Sequence, residues 1–310
     1  MNSAFSRRPS AIGSDFDAYL AGRRALVEEF LDACVPAEEA APETISRAVR
    51  YSLFAGGKRL RPILVLAAAE AVSGVVEDAL PAAAAFEMIH TYSLIHDDLP
   101  AMDDDSLRRG KPTSHIVFGD AIAILAGDAL QTHGFRVLAE GESPVSAARR
   151  LRAITLLADA AGASGMVGGQ VADLEAEGRP VSAVSSNTLE FIHRHKTGAL
   201  IQAASEVGAV VGGGSDDQVA HLARYGESIG LAFQIIDDIL DVTGSAETLG
   251  KSPGKDEKAG KTTYPQVHGI SKAKERASEL VTNALEELAP FGDRAEPLSR
   301  LAQRILERNS

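Results

Sequence analysis

The chain has 310 residues, 45% of them hydrophobic, with 31 basic against 43 acidic side chains and a formal net charge of -12. That excess of acid excludes bulk nucleic-acid binding, so an anionic ligand would have to be held by locally placed cations or by metal ions. No run of about 18 apolar residues is free of charge, which leaves no candidate membrane span, and the lone Cys34 cannot form an intrachain disulfide and points to a reduced, cytoplasmic setting.

Residues 1–14 are small, Ser-containing and slightly basic through Arg7 and Arg8, and read as a flexible tail rather than a secretory signal. From residue 15 to 310 the texture is that of one large helical domain. Ala and Leu abound, aromatic residues make up 5%, and apolar residues recur at three- and four-residue spacing without convincing alternating strand pairs. The pattern predicts helices near 15–34, 43–55, 62–73, 81–99, 119–140, 144–161, 164–177, 185–211, 216–243, 271–289 and 295–308. Pro62 and Pro81 suit first helical turns, and Gly56-Gly57 and Gly212-Gly213-Gly214 suit stops. The mostly short connections favour an all-α fold, a large antiparallel helix bundle. Two polar segments, 105–119 and 244–266, are too long for simple connections and each follows an aspartate cluster, so both read as functional loops.

Three stretches carry chemistry. The first is Gly56-Gly57-Lys58-Arg59-Leu60-Arg61-Pro62, where three cations lie between a glycine stop and a helix start whose free N–H groups favour anions; the alternative is a solvated basic turn. It lacks the spacing of a P-loop, which argues against nucleotide chemistry. The second is SLIHDDLPAMDDDSLRRGKPT at 93–113, with Asp97, Asp98, Asp103, Asp104 and Asp105 crowded into nine positions and Arg108, Arg109 and Lys111 following. Mutual repulsion would raise the carboxyl pKa values unless a cation compensates. Asp97 and Asp103 are six apart and Pro100 should end the helix near Leu99, so these two converge only if the chain turns after Asp98.

The third is Asp237-Asp238-Ile239-Leu240-Asp241. Asp237 and Asp241 share one helix face, and the apolar Phe233, Ile235, Ile236, Ile239 and Leu240 around them mark a buried helix. Buried aspartates demand partners or metal. Oxygen-only donors favour magnesium or calcium over zinc, the calcium-loop pattern is missing, and magnesium held by few carboxylates completes its shell with water and substrate phosphate. A phosphate ester or diphosphate is therefore the natural substrate class. LIHDDLPAMDD at 94–104 and QIIDDILDVTG at 234–244 echo one another, as two similar acidic helix ends facing across a bundle core would. His193 and His195 are expected to belong to a helix face. Gly168-Gly169-Gln170 with Asp173 is expected to make a close helix contact beside the site.

GGKRLRP, LIHDDLPAMDDDSLRRGKPT, Lys196-Thr197, QIIDDILD and GKSPGKDEKAGKTTYP occur in the order and spacing of short-chain trans-prenyl diphosphate synthases, and the resemblance covers roughly residues 40 to 270. The DDxxxxD form of the first cluster, with Tyr92 five residues before it, resembles the bacterial farnesyl diphosphate synthases in particular. The resemblance implies that Asp97, Asp98, Asp103, Asp237, Asp238 and Asp241 hold about three magnesium ions on an allylic diphosphate. It implies that Lys58, Arg61, His90 and Arg109 bind isopentenyl diphosphate. Arg108, Lys196, Thr197, Gln234 and Lys251 match residues that serve the allylic diphosphate or its developing cation. A homodimer is implied as well.

Tyr92, with Ser93 beside it, lies about 7.5 Å of helix rise below Asp97 and could form a floor under the growing chain, and the resemblance implies that an aromatic here limits the product to farnesyl diphosphate. Geranylgeranyl synthases share most of these motifs and are the alternative, together with a non-catalytic subunit of a heteromeric synthase. A terpene cyclase would not need GGKRLRP. Lys251, Lys255, Lys258 and Lys261 are spaced as a lid over diphosphate would require.

Overall fold

Amphipathic helices must bury their apolar stripes against one another, and the computed structural model, which describes residues 16–140, 144–243 and 261–307, shows a helical bundle that does so. The helices in order are α1 (Phe16–Cys34), α2 (Glu43–Leu53), α3 (Leu60–Ser73), α4 (Leu80–Asp97), α5 (Ser114–Phe118), α6 (Asp120–Glu140), α7 (Ala147–Ala161), α8 (Met166–Ala176), α9 (Ser186–Ile192), α10 (Ala199–Val211) and α11 (Asp216–Thr243). Helices over Tyr264–His268, Ile270–Glu287 and Glu296–Glu307 complete the chain. Among the described residues no helix is long and apolar enough to cross a membrane.

The core is built round α3, α4 and α10, whose Ala-rich runs are buried on every side from Pro62 to Ala71 and from Pro81 to Ile89. Small side chains let these helices lie close, with α4 against α6 and α3, and α10 against α3 and α11. Tyr225 is fully buried in α11 and its hydroxyl donates to the Leu298 carbonyl at 2.7 Å, which ties down the last helix.

Two expectations change. The segment after the first aspartate cluster is not a plain loop, because a two-residue antiparallel ladder, β1 (Leu107–Arg108) with β2 (Lys111–Pro112), and the short α5 fold it back on α6. The helix expected over 185–211 is interrupted by a π-helical turn, His193–Gly198, whose wider winding has no periodic signature in sequence. Lys251 and most of the 244–266 loop lie outside the described residues.

Candidate active site

The basic turn is split by burial. Arg59 takes a left-handed backbone (φ 51°) at the start of α3 and turns inward, its side chain fully buried. There Nε donates to Glu28 at 2.7 Å, one Nη to Glu87 at 2.6 Å and the other to the Leu53 carbonyl at 2.7 Å. The middle cation of GGKRLRP therefore locks the turn, while Lys58 stays exposed and Arg61 half-buried. Burial lowers the Arg61 pKa to about 10, with the positive Arg109 adding to the shift.

Arg109 reaches this turn from the second stretch. It donates to the Gly56 carbonyl and lies against Gly57, whose φ of 133° is a backbone that favours glycine. His90 stands beside them. Burial first, then Arg61, Arg109, Arg108 and Arg59, push its pKa well below the usual value, so its imidazole is neutral. Arg61 and Arg109 thus meet a neutral histidine where the nearby carboxylates, Glu28 and Glu87, are already bonded to Arg59, which suits the place to an anion.

The first aspartate cluster turns as its spacing requires. α4 ends at Asp97, the Asp103 N–H donates back to the Asp97 carbonyl at 2.9 Å, and the Asp104 N–H to Leu99 at 3.2 Å. Asp97 is half-buried, and desolvation chiefly, with the Asp103 charge adding, raises its pKa to about 6. Asp98 is buried, and both its oxygens accept from Arg108 Nε at 2.7 and 2.9 Å.

The second cluster repeats this division of labour. Asp237 is half-buried, whereas Asp238 is 4% exposed and accepts from Gln234 Nε2 at 3.1 Å and the Tyr264 N–H at 2.7 Å, with His193 Nε2 at 3.2 Å. In each Asp-Asp pair the second carboxylate is the more buried and is held by protein partners, while the first is half-buried. Asp98, Asp238 and Arg108 thus have structural occupations beyond those the motifs suggest. His193, expected on a helix face, begins the π-helical turn and is a buried partner of Asp238. His195, stacked 3.8 Å from Phe191, does keep to its helix face.

The π turn carries Lys196 and Thr197. It rests on α8, because a Cβ on Gly169 would collide with the Lys196 backbone nitrogen, and Lys196 Nζ donates to Asp173 of α8 at 2.6 Å. Lys261 then links the pieces, with Nζ 3.2 Å from Asp103 and 3.8 Å from Asp173. Three residues on, the Tyr264 N–H holds Asp238. One short segment, Lys261 to Tyr264, therefore touches both aspartate clusters, the first through the lysine side chain and the second through the tyrosine N–H. This convergence is what motifs 140 residues apart could only suggest.

A family model, polyprenyl synthetase, matches residues 42–294. The chain belongs to the polyprenyl synthetase family. It is 52% identical over 297 residues to geranylgeranyl pyrophosphate synthase 7, chloroplastic, of Arabidopsis thaliana, covering 96% of this chain and 85% of the relative. It is 51% identical to a dimethylallyltranstransferase of Fischerella ambigua, covering 94% and 83%. The fold matches an apo crystal structure of a farnesyl/geranylfarnesyl diphosphate (FPP/GFPP) synthase from Zymomonas mobilis with a TM-score of 0.83 and 39% identity, covering 94% of this chain and 98% of that one. This chain is accordingly a prenyltransferase of isoprenoid biosynthesis with the all-α isoprenoid synthase fold.

Among the described residues no three histidine, cysteine or acidic side chains converge to hold an ion by themselves. The donor set still fits a hard cation. Asp97 and Asp103 supply oxygen only, burial chiefly holds Asp97 above its usual pKa, and an ammonium, Lys261, rests on Asp103. Tyr92 is 5% exposed beneath Asp97, with its ring edge-on to His96 at 5.7 Å. Its buried hydroxyl has no partner, and burial pushes its pKa up to about 12. The Ser93 hydroxyl donates back to the His90 carbonyl at 2.8 Å.

Proposed function

We propose that this chain condenses isopentenyl diphosphate with allylic diphosphates in the presence of magnesium and carries the product to geranylgeranyl diphosphate. What supports the reaction is the cluster of Arg61, His90 and Arg109 together with two aspartate clusters that the Lys261–Tyr264 segment touches at Asp103 and Asp238. The product length rests on relatives, since the Arabidopsis protein is named a geranylgeranyl synthase.

In this reading Asp97, Asp103, Asp237 and Asp241 hold the metal, which when bound supplies Lewis-acid polarisation of the leaving diphosphate. Lys58, Arg61 and Arg109 neutralise the isopentenyl diphosphate, and His90 offers it a neutral hydrogen-bond donor. Asp173 aims Lys196 at the cleft, where it and Lys251 meet the allylic diphosphate. The Thr197 hydroxyl and the Gln234 carbonyl oxygen face the developing allylic cation, with Gln234 oriented by its bond to Asp238. Arg108 and Asp98 fix the turn after α4.

A second reading, farnesyl diphosphate, is favoured by Tyr92, whose ring fills the space one and a half turns below Asp97. Purified protein given isopentenyl with dimethylallyl or geranyl diphosphate and magnesium distinguishes the two by mass spectrometry. A twenty-carbon product is expected. A fifteen-carbon product that is not extended selects the second reading, and Tyr92→Ala should then lengthen it. Absence of any condensation overturns both.

We also read the α5–α6 face, where Ile116, Val117, Ile124 and Leu125 are 43–56% exposed, as the contact with a second copy. Light scattering showing a monomer at micromolar concentration would contradict this. Cys34 still argues for a reducing compartment, and cytoplasmic residence is our reading for this chain.

A further inference from the structure

Lys261 makes the one link between the acidic turn after α4 and the π turn beside α8 that the described ion pairs show. Its Nζ lies 3.2 Å from Asp103 Oδ1 and 3.8 Å from Asp173 Oδ2, and the same Asp173 oxygen accepts from Lys196 at 2.6 Å. The side chains of Lys261, Asp103 and Asp173 are 19%, 22% and 16% exposed, too little for water alone to screen the carboxylates. Asp97 lies within the field of both lysines and of Asp103. A divalent ion on Asp103 would place two further positive charges on the carboxylate that the ammonium already holds through Oδ1, and where these side chains are about one-fifth exposed such cations repel.

We propose that Lys261 is a tethered counter-ion: it neutralises the acidic cluster in the metal-free protein and must leave Asp103 when a divalent cation binds there. The affinity for metal is then set by competition with a residue of the chain itself. Asp173, 3.8 Å away, already holds Lys196, so the displaced ammonium turns to solvent, to which the Lys261 side chain is 19% exposed. Because the Tyr264 N–H holds Asp238 only three residues further on, the displacement pulls on the chain that anchors the second cluster. Metal occupancy at one cluster is thereby felt at the other. The inference rests on the metal-binding reading of Asp103 given above.

The test uses the metal-free full chain, titrated with magnesium chloride in the absence of any diphosphate and followed by thermal shift. Lys261→Met should melt lower than the parent before metal is added, and should reach half of its maximal shift at roughly three- to tenfold less magnesium. Lys261→Arg, which keeps the charge, should stay within about twofold of the parent. An unchanged or increased magnesium requirement in Lys261→Met overturns the proposal. A measurement on the parent protein guards against a variant that does not fold. Acylation of lysine amines, read by peptide mass mapping, should label Lys261 faster once magnesium is added, and equal or slower labelling overturns the proposal. If the parent shows no magnesium-dependent shift at all, the metal site falls together with the counter-ion. If it shifts and Lys261 does not respond, the counter-ion alone falls.

Discussion

Arg59→Met should be among the most damaging single changes outside the cleft. The guanidinium is fully buried between Glu87, 2% exposed, and Glu28, 34% exposed, and it also satisfies the Leu53 carbonyl. Glu28 can rehydrate and adds little. Glu87 cannot, and stripping one partner from a buried pair costs about 3–5 kcal/mol. At about 2 °C per kcal/mol for a chain of this size, Tm should fall by roughly 6–10 °C in differential scanning calorimetry. The stranded Glu87 already lies in the field of Arg61 and Arg109, so it should draw them from their present positions and raise KM for isopentenyl diphosphate more than it lowers kcat. Adding Glu87→Gln to Arg59→Met removes the unpaired charge and should restore at least half of the lost stability. A loss under about 1 kcal/mol in the single variant, or a double variant no more stable than the single, would refute the view that this ion pair locks the basic turn.

Other outcomes follow from the same geometry. Asp97→Asn should stabilise the metal-free protein at pH 8 by up to about 3 kcal/mol, because burial raises this carboxyl from 3.8 to about 6. The folded state therefore binds the proton more tightly than the unfolded chain, and the advantage of the variant should fade as pH falls from 6 toward 4, which melting curves without magnesium would show. The same variant should lose most of its condensation activity and its magnesium-dependent thermal shift. His90 has the opposite sign. Its depressed folded pKa means that below pH 6.5 protons favour the unfolded chain, at about 1.4 kcal/mol per pH unit, so a His90→Gln variant should lose stability less steeply in acid. Gly169→Ala would drive a Cβ into backbone at Lys196, which cannot swing aside as a side chain could. It should cut kcat by roughly a hundredfold while leaving the far-ultraviolet circular dichroism unchanged.

The parts of the site differ in how well they could be read from sequence. The turn that brings Asp103 back to Asp97 was predictable because Pro100 forbids the helix and the two carboxylates then need a new path, and the N–H of Asp103 bonding to Asp97 follows that path. The buried character of α11 was equally plain from apolar residues around nearly its whole circumference. Arg59 could not be told from Lys58 and Arg61, because one left-handed residue at the start of α3 decides which side chain points inward. His193 carried no signal that set it apart from His195, since only the π turn rotates one toward Asp238 and leaves the other on Phe191.

Periodicity, proline and glycine placement and the ordered motifs act over a few residues, so the sequence by itself determined the helical elements, the carboxylate-rich chemistry and the diphosphate substrate class. Tertiary structure alone decided which aspartate of each pair is sequestered and which is left half-buried. It also decided that Lys261 meets Asp103, 158 residues away in the chain. Such pairings depend on how whole helices pack, and their energy comes from desolvating charges that are far apart in sequence and adjacent only after folding.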